Sequence, residues 1–450
     1  MQSCNIEKRQ SSLKLHAMER INLLLDKKCF REIGKDIAEM GTSYSYSKYQ
    51  YDGVITGYGY IRNKLVFVFA QDYTVCGGTV GLKHAKKIVR VIKLAVENRV
   101  PIIGLNDSGG GARIQEGVNS LAGYGEIFYW NTKASGFIPQ ISIIAGPCAG
   151  GAVYSPGITD FVFMIDKVGS MYVTGPKVLK KLTGVECTQE DLGGAVTHSK
   201  SGVVHFISKN EEECFKSVRN LISILPSNCS EKIKITSRYK TKKTSLMEKI
   251  PSNYRKVYDM HIVIDEIIDS VGFIEVHRTF APNIIIGFAK IAGITVGIVA
   301  NNPGKLVGSL DCDTSDKAAR FIRFCDCFNI PIVTFVDVPG FIPNKLEEEK
   351  GIIRHGAKLL FAYAESTTIK VTVILRKAYG GAYIAMGSKH LGADMVFCWP
   401  NAEVAVMGSE GAIEILYHRE LEKMNKGQRE ENIKNYCQEY EKSILVQMQR

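Results

Sequence analysis

The sequence has no apolar run long enough to cross a membrane. Its longest apolar stretches, residues 65–70 and 330–336, suit buried strands, whereas a membrane-spanning helix needs about 20 apolar residues. The first ten residues also lack the apolar core of a secretory signal. These absences predict a protein without direct membrane insertion that works in the cytoplasm, or in the mitochondrial matrix if the source is eukaryotic.

Metal and nucleic-acid motifs are missing as well. The twelve cysteines form no Cys-x-x-Cys pair, and neither a His-Glu-x-x-His motif nor a Walker loop occurs. We therefore expect reduced thiols and no metal site. Zinc-finger, helix-turn-helix and RNP-type signatures are absent, so no nucleic-acid partner is predicted. The net charge of +11 indicates either attraction of some other polyanionic ligand or a lysine-rich solvated surface.

The chain contains an internal duplication. Pro101 and Pro331 each open an apolar, strand-like run that ends in an aspartate, Asp107 or Asp337, at the same spacing. Each run follows a segment with apolar residues at helix spacing. These two helical segments are residues 84–100 and 316–330. The same order of elements in both halves indicates two copies of one structure.

Each half then repeats a second strand that runs into Gly-Gly-Ala, at residues 150–152 and 380–382. Strand, helix, strand, glycine turn and helix is the order of βαβ units. The 450 residues, 45% of them apolar, can build more than one core. We therefore predict an α/β fold of two tandem domains related by internal duplication, residues 1–228 and 229–450, joined by a polar connector, residues 226–251.

A strand that ends in Gly-Gly-Ala and begins a helix presents backbone N–H groups to a ligand. Two such donors about 2.7–3.1 Å from a developing oxyanion form an oxyanion hole, which stabilises an enolate or tetrahedral intermediate at a carbonyl such as a thioester. The alternative for a single Gly-Gly pair is close packing of strand against helix. Its recurrence at the same point of both halves favours two oxyanion holes.

No side chain stands out as a nucleophile or general base. Ser155 falls inside the expected helix and outside any nucleophile elbow. Four histidines are candidates for acid–base work, although a structural role is the commoner explanation for an isolated histidine. They are His198, His205, His355 and His390.

Long motifs resemble those of one family. They are NDSGGGARIQEGVNSLAGYGEIF, IPQISIIAGPCAGGAVYSPGITDF, TGPKVLKKLTG, LGGAVTHSKSGVVHF, ARFIRFCDCFNIPIVTFVDVPGFIP, GIIRHGAKLLFAYAE and RKAYGGAYIAMGSKHLGADMVFCWPNAEVAVMG. From about Lys14 to about Leu416 the chain is similar to the carboxyltransferase β subunits of biotin-dependent acyl-CoA carboxylases. It most resembles propionyl-CoA carboxylase β chains and the carboxyltransferase chains of methylmalonyl-CoA decarboxylases and transcarboxylases. The family fold, two crotonase-like (ClpP/crotonase) domains, agrees with the duplication.

The resemblance implies a reaction without a side-chain base. The first domain would be the acyl-CoA side, where the N–H groups of Gly150 and Gly151 hold the thioester enolate. The second would be the biotin side, where the N–H groups of Gly381 and Ala382 hold the biotin oxygen and the biotin nitrogen removes the α-proton. Ile384 is expected to line the acyl pocket, with plain helix packing as the alternative. The remaining implied substrate-binding residues are Gly110, Gly111, Ala112, Arg113, Ala149, Tyr154, Tyr379 and Gly380.

The implied activity is transfer of carboxylate from carboxybiotin to the α-carbon of a short acyl-CoA, with propionyl-CoA first and acetyl- or butyryl-CoA as alternatives. Biotin would arrive on a partner, so we expect a biotin carboxylase/biotin carboxyl carrier subunit, no cofactor tightly bound to this chain, and a homo-oligomer, a hexamer or at least a dimer. Two alternatives stay open. One is the carboxyltransferase subunit of a methylmalonyl-CoA decarboxylase, and the other is a non-catalytic scaffold subunit.

The sequence departs from the family pattern in three places. Residues 109–111 are three glycines before Ala112, one small residue more than usual, which is expected to loosen this loop. The N-terminal region is short. The segment beyond about Ile433, part of a charged helix expected over residues 418–450, does not match. The extra glycine and the C-terminal segment motivate the scaffold alternative.

Overall fold

The computed structural model describes residues 14–35, 37, 51–232, 246–253, 255–270 and 272–448. The chain divides into two compact units, residues 1–232 and 233–450, which we call the N-unit and the C-unit. Residues 233–245 of the predicted connector lie outside the described residues.

The N-unit contains one mixed sheet and its helices. The strands are β1 (Arg31–Glu32), β2 (Val54–Ile61), β3 (Lys64–Gln71), β4 (Ile102–Ser108), β5 (Gln140–Ala149), β6 (Phe161–Ile165), β7 (Ser170–Tyr172) and β8 (Phe206–Ser208). The helices are α1 (Ala17–Leu24), α2 (Leu82–Asn98), α3 (Val118–Ala134), α4 (Tyr154–Ile158), α5 (Pro176–Thr183), α6 (Gln189–Gly193), α7 (Ala195–Lys200) and α8 (Glu211–Ile224). Short 3₁₀ turns span Cys76–Gly78, Ile114–Glu116 and Gly150–Val153.

The strand order in this sheet is β1-β2-β3-β4-β5-β6-β8, and β7 pairs separately with β5. The first three strands are antiparallel neighbours, whereas β3 to β6 and β8 run parallel. Parallel strands place their carboxyl ends at one edge of the sheet, where ligands bind in open α/β sheets. Asp107 near the end of β4 and Gly150 after β5 therefore lie at that edge.

The C-unit repeats this arrangement. Its strands are β9 (Ile274–Val276), β10 (Ile284–Ile291), β11 (Ile294–Asn301), β12 (Ile332–Val338), β13 (Lys370–Tyr379), β14 (Met395–Cys398) and β15 (Glu403–Ala405). Its helices are α9 (Leu246–Lys249), α10 (His261–Ile267), α11 (Cys312–Cys327), α12 (Lys345–Lys350), α13 (Ile352–Glu365), α14 (Gly380–Ala385), α15 (Ser409–Leu416), α16 (His418–Leu421) and α17 (Lys426–Met448), with 3₁₀ turns at Leu306–Gly308 and Lys389–Leu391. The order is β14-β13-β12-β11-β10-β9, and β15 pairs separately with β13.

The two sheets share irregularities as well as order. The pairing of β4 with β5 shifts register between Asn106 and Ser108. The pairing of β12 with β13 shifts at the corresponding place, between Val336 and Val338. Because the same register shift occurs at the equivalent place in both pairs of parallel strands, it reflects a shared fold rather than chance. The structure thus confirms the internal duplication.

The two predicted helical segments are α2 and α11, and a carboxylate fixes where each begins. Glu116 accepts the backbone N–H of Leu82 (2.6 Å), and Glu347 accepts that of Cys312 (2.9 Å). Negative charge at a helix N-terminus satisfies unpaired N–H groups and the helix dipole. Each helix then buries its apolar face on the sheet. Within the described ranges, every helix is too short or too polar to span a bilayer.

Candidate active site

In both units the strand that carries Gly-Gly-Ala turns sharply at its end. Ala149 is extended (φ −125°, ψ 150°), and Gly150 has a φ of +60°. Tyr379 is extended in the same way (φ −111°, ψ 143°), and Gly380 has a φ of +56°. A positive φ is costly for a residue with a Cβ. The sharp turn therefore favours glycine at both positions.

The residues after each turn begin a helical segment. The 3₁₀ turn Gly150–Val153 leads into α4, and α14 starts directly at Gly380. The first N–H groups of a helix have no acceptor within that helix. The N–H groups predicted as oxyanion donors, those of Gly150 and Gly151 and those of Gly381 and Ala382, belong to these first residues. Their role as oxyanion donors remains a prediction.

A short strand, which the sequence did not predict, borders each turn. β7 pairs in parallel with the end of β5, and β15 with the end of β13. The residues that follow them, Val173 and Val406, are exposed. A Cβ built on Gly150 would lie 4.0 Å from the carbonyl oxygen of Val173, and one on Gly380 would lie 3.0 Å from that of Val406. The backbone of this strand therefore limits each turn on one side.

The second glycine of the motif has different surroundings in the two units. A Cβ built on Gly151 would lie 3.2 Å from two carbons of the Tyr124 ring. Gly381 is exposed, and apart from its chain neighbours and the backbone of its own helix no described atom lies within 4 Å of a Cβ built there. The N-unit turn is thus backed by an aromatic ring, whereas open space adjoins the C-unit turn.

The three glycines after β4 pack closely. Gly109 donates to the carbonyl of Gly77 (3.2 Å), and the carbonyl of Gly111 accepts from the N–H of Val80 (2.8 Å). A Cβ built on Gly111 would lie 2.6 Å from the carbonyl oxygen of Ala149. The expectation of a loosened loop is therefore wrong, because glycine here lets the loop approach the end of β5. Gly110 is exposed, and Ala112 is half-buried.

Arg113 holds this loop through its side chain. The guanidinium is buried and binds Asp52 (2.9 Å), Glu116 (2.9 Å) and the carbonyl of Thr79 (3.0 Å). A buried guanidinium needs such partners, since unpaired buried charge is costly. These contacts occupy the group that was expected to bind substrate, and they argue against direct contact between the Arg113 side chain and a ligand.

A buried carboxylate lies at the end of β4. Asp107 is 1% exposed and binds Lys14 Nζ (2.8 Å) and Arg20 (2.9 Å). Arg20 also binds Glu211 (2.7 Å) and the carbonyl of Ala145 on β5 (2.6 Å). The group ties α1, β4, β5 and α8 together beside the Gly-Gly-Ala turn. Sequence reasoning missed both cations, because no motif marks them and they lie far from Asp107 along the chain.

The equivalent carboxylate of the C-unit has a different partner. Asp337 is fully buried and binds Nε of Arg376, a residue of the neighbouring strand β13 (2.7 Å). The Arg376 guanidinium also lies 4.7 Å from the centre of the Tyr258 ring, at which distance a cation–π interaction is favourable. It donates in addition to the carbonyls of Pro251, Asn253 and Lys256. A cation at the end of the parallel sheet is therefore common to both units.

Three predicted binding side chains lie beside the turns. Tyr154 and Ile384 are the fourth residues after Gly150 and Gly380, and both are exposed, at 51% and 41%. Because both side chains are exposed, each can contact a ligand bound at its own turn. Tyr379 is buried, and its hydroxyl donates to Glu403. Substrate binding by these residues is not tested by the geometry and remains a prediction.

The candidate nucleophile and bases are held by neighbouring groups. The Ser155 hydroxyl is buried and donates to Asn131 Oδ1 (2.8 Å). Three of the four histidine rings are hydrogen-bonded within the protein: His198 to the carbonyl of Met171, His205 to the N–H of Val162, and His355 to Asp316. The fourth, His390, is exposed and lies edge-on to the ring of Tyr383. These contacts favour structural roles. Over the part of the chain that the structure describes, no cluster of three or more His, Cys, Asp or Glu residues is placed to bind a metal ion.

The structure shows a duplicated α/β fold with a Gly-Gly-Ala turn at the end of a parallel strand in each unit, and comparison with known proteins assigns the family. The family model of the carboxyl transferase domain matches residues 9–450. The chain therefore belongs to the carboxyl transferase domain family. Because the match includes the segment beyond Ile433, the expectation that this segment departs from the family is wrong.

Individual relatives are similar over almost the whole chain. The chain is 50% identical over 414 residues to the propionyl-CoA carboxylase beta chain of Roseobacter denitrificans, covering 91% of this chain and 81% of that protein. It is 51% identical over 424 residues to methylmalonyl-CoA decarboxylase subunit alpha of Veillonella parvula, covering 93% and 83%. The solved structure of hexameric transcarboxylase 12S, with methylmalonyl-coenzyme A and methylmalonic acid bound, matches with a TM-score of 0.91 and 45% identity over 96% of this chain and 84% of that one. The crotonase-like fold with two domains is thereby confirmed.

Proposed function

We propose that this chain is the carboxyltransferase subunit of a biotin-dependent acyl-CoA carboxylase, which transfers carboxylate from carboxybiotin to the α-carbon of propionyl-CoA and forms methylmalonyl-CoA. The observation that carries this proposal is the pair of equivalent turns, each made by a glycine with positive φ at the end of a parallel strand. The substrate follows from the propionyl-CoA carboxylase beta chain and the transcarboxylase to which the chain is similar.

The N-unit is proposed as the acyl-CoA side. The N–H groups of Gly150 and Gly151 would hold the thioester oxygen, whose negative charge grows as the α-proton leaves. Donors that are fixed before the reaction stabilise such charge without reorganisation, and loss of one costs about 10²–10³-fold in kcat in known enzymes. The exposed ring of Tyr154 would border the bound thioester. The α-proton itself would pass to the nitrogen of bound biotin, so the proposal needs no side-chain base.

The C-unit is proposed as the biotin side. Open space beside Gly381 supports this assignment: apart from its chain neighbours and the backbone of its own helix, no described atom lies within 4 Å of a Cβ built there. When bound, biotin supplies the carboxyl group and a nitrogen that accepts the α-proton. The N–H groups of Gly381 and Ala382 would hold the biotin oxygen, and Ile384 would form an apolar wall of the acyl pocket.

This function requires partners. Biotin would be carried by a biotin carboxylase/biotin carboxyl carrier subunit and would not be tightly bound to this chain. A homohexamer is proposed from the hexamer of transcarboxylase 12S. The working compartment would be the cytoplasm, or the mitochondrial matrix of a eukaryote.

The experiment that tests the function is the reverse half-reaction of the purified chain. Methylmalonyl-CoA and free biotin are supplied, and formation of propionyl-CoA is measured, with malonyl-CoA as the comparison substrate. We expect turnover that depends on biotin and is faster with methylmalonyl-CoA. A folded, assembled sample that turns over neither substrate contradicts the proposal and supports the scaffold alternative. The close packing of residues 109–111 removes one motive for that alternative.

A second candidate is the carboxyltransferase subunit of a methylmalonyl-CoA decarboxylase. The 51% identity to the Veillonella parvula subunit favours it as much as the 50% identity to the Roseobacter denitrificans chain favours the carboxylase. Both subunits would run the same half-reaction with free biotin. Identification of the co-purifying partner discriminates them: a biotin carboxylase supports the carboxylase, and a membrane protein supports the decarboxylase.

A further inference from the structure

The two Gly-Gly-Ala turns differ in what lies behind their second glycine. The Tyr124 ring is in van der Waals reach of Gly151, since a Cβ added there would be 3.2 Å from ring carbons Cδ2 and Cε2. Such a distance is shorter than an ordinary contact between a Cβ and a carbon, so even alanine would push the ring. Gly381 of the C-unit has no such support among the described residues.

Tyr124 is itself firmly held. It is 4% exposed and belongs to the hydrophobic core of the N-unit. Its ring lies 5.7 Å from that of Phe128, which in turn meets the ring of Tyr154 edge-on at 6.2 Å. Aromatic pairs at these distances add to the stability of a cluster. Through Tyr124 and Phe128, helix α3 therefore contacts the turn at Gly151 and the residue Tyr154 that follows it.

The other side of the turn is closed by the glycine loop. A Cβ built on Gly111 would lie 2.6 Å from the carbonyl oxygen of Ala149 and 3.6 Å from the backbone nitrogen of Gly151. The peptide that carries the Gly151 N–H is thus bracketed by Gly111 and by the Tyr124 ring. Since an oxyanion donor acts only when it is correctly oriented, this bracket bears directly on the reaction.

From these contacts we infer that Tyr124 is a positioning residue, whose ring fixes the Gly150–Gly151 peptide for stabilisation of the acyl-CoA enolate. This inference rests on the proposed function of the N-unit turn. The ring acts through the backbone and does not touch the reacting atoms. Loss of the ring should therefore slow the chemical step more than it weakens acyl-CoA binding.

The test compares Tyr124→Leu, Tyr124→Phe and the control Ile127→Ala in the reverse half-reaction. Ile127 is a buried residue of the same helix, so its truncation perturbs the core without removing the ring at Gly151. We expect Tyr124→Leu to lower kcat by about 10–100-fold, with KM for methylmalonyl-CoA within threefold of wild type. Tyr124→Phe keeps the ring and should stay within threefold in kcat, as should Ile127→Ala. A Leu variant that matches the Ile127 control, or a Phe variant as slow as the Leu variant, overturns the inference.

A second readout does not depend on turnover and separates this inference from the proposed function. Amide hydrogen exchange of the peptide that spans residues 149–154 should rise at least tenfold in Tyr124→Leu and stay unchanged in Tyr124→Phe and Ile127→Ala. Such an increase supports the role of Tyr124 in holding this peptide even if the wild type turns over no acyl-CoA. An absence of turnover would then contradict only the proposed function. Unchanged exchange in Tyr124→Leu overturns the positioning role whatever the activity.

Discussion

The aspartates near the ends of β4 and β12 are neutralised in different ways in the two units. Asp107 binds two cations of the N-terminal segment, Lys14 and Arg20, whereas Asp337 binds Arg376 of the adjacent strand. Both carboxylates are buried, where an unpaired charge would be costly. The fold therefore requires a cation beside each of these aspartates, but the chain segment that supplies the cation differs between the units.

One strand position explains the difference. The shared register of β4 with β5 and of β12 with β13 makes Gly146 equivalent to Arg376. A Cβ built on Gly146 would lie 2.0 Å from an oxygen of Asp107 and 2.7 Å from Lys14 Nζ. A side chain there would displace the N-terminal cation. In the N-unit, Gly146 therefore leaves room for the cations of the N-terminal segment. In the C-unit, Arg376 stands at the equivalent position and supplies the cation itself.

The largest expected effect is the loss of the C-unit cation. Arg376→Met should destabilise the protein by about 3–5 kcal/mol, because it leaves a buried carboxylate without its guanidinium. Lys14→Met should cost at most about 1 kcal/mol, since the partly exposed lysine leaves Arg20 on Asp107. Urea unfolding of the full chain measures both. Equal losses would contradict the difference between the two units.

A second pair of buried cations should show a smaller contrast. Lys87 donates to the carbonyl of Val54 (2.6 Å), and both Lys87 and Lys317 are 3% exposed. Lys317 donates to four carbonyls, those of His277, Phe280, Ala281 and Ile284. Each buried carbonyl that loses its donor costs about 1–3 kcal/mol at most. We expect Lys317→Met to destabilise the chain more than Lys87→Met in the same unfolding experiment, and the reverse order would contradict this reading.

The smallest effects at neutral pH concern two histidines with opposite shifts. Burial lowers the pKa of His84 to about 3, so its stabilisation is present above about pH 6.5 and is lost as the pH falls towards 3. The hydrogen bond to Glu275, aided by Asp259, raises the pKa of His261 to about 9, so its stabilisation is present below about pH 6.5 and is lost as the pH rises through 9.

Substitution of His261 tests the second of these pH dependences. His261→Gln should remove at most about 1 kcal/mol at pH 6, because the ion pair is partly exposed and screened, and it should remove nothing at pH 10. Thermal unfolding of the variant and the wild type at both pH values gives this difference. A loss that is the same at pH 6 and pH 10 would show that His261 acts through packing alone.

The sequence predicted those parts of the fold that depend on local patterns. The runs that end in Asp107 and Asp337 and the two Gly-Gly-Ala turns follow from apolar spacing and from glycine, and the structure has strands and turns there. Hydrophobic spacing reports burial along one element, but it does not report which distant residue lies opposite. The contacts of Arg20 with Asp107 and of Tyr124 with Gly151 were missed for this reason.

Arg113 shows the same limit from the other direction. Its place beside a glycine loop suggested a group that binds substrate, but the guanidinium is buried and forms ion pairs with Asp52 and Glu116. One of these partners, Asp52, lies before β2, and no local pattern links it to the loop. A charged residue can therefore lie in a loop motif that the sequence singles out while its side chain binds other groups of the protein instead of a ligand.

The two turns are proposed to do different work in one reaction. The most direct test is the rate of propionyl-CoA formation from methylmalonyl-CoA and biotin by Gly381→Val, with the affinity for methylmalonyl-CoA measured by calorimetry on the same sample and with Gly151→Val as its counterpart. We expect Gly381→Val to lose about 10²-fold or more in rate and to keep its methylmalonyl-CoA affinity within threefold of wild type. Gly151→Val should lose both rate and affinity. Wild-type turnover by Gly381→Val, or equal loss of methylmalonyl-CoA affinity in both variants, would contradict it.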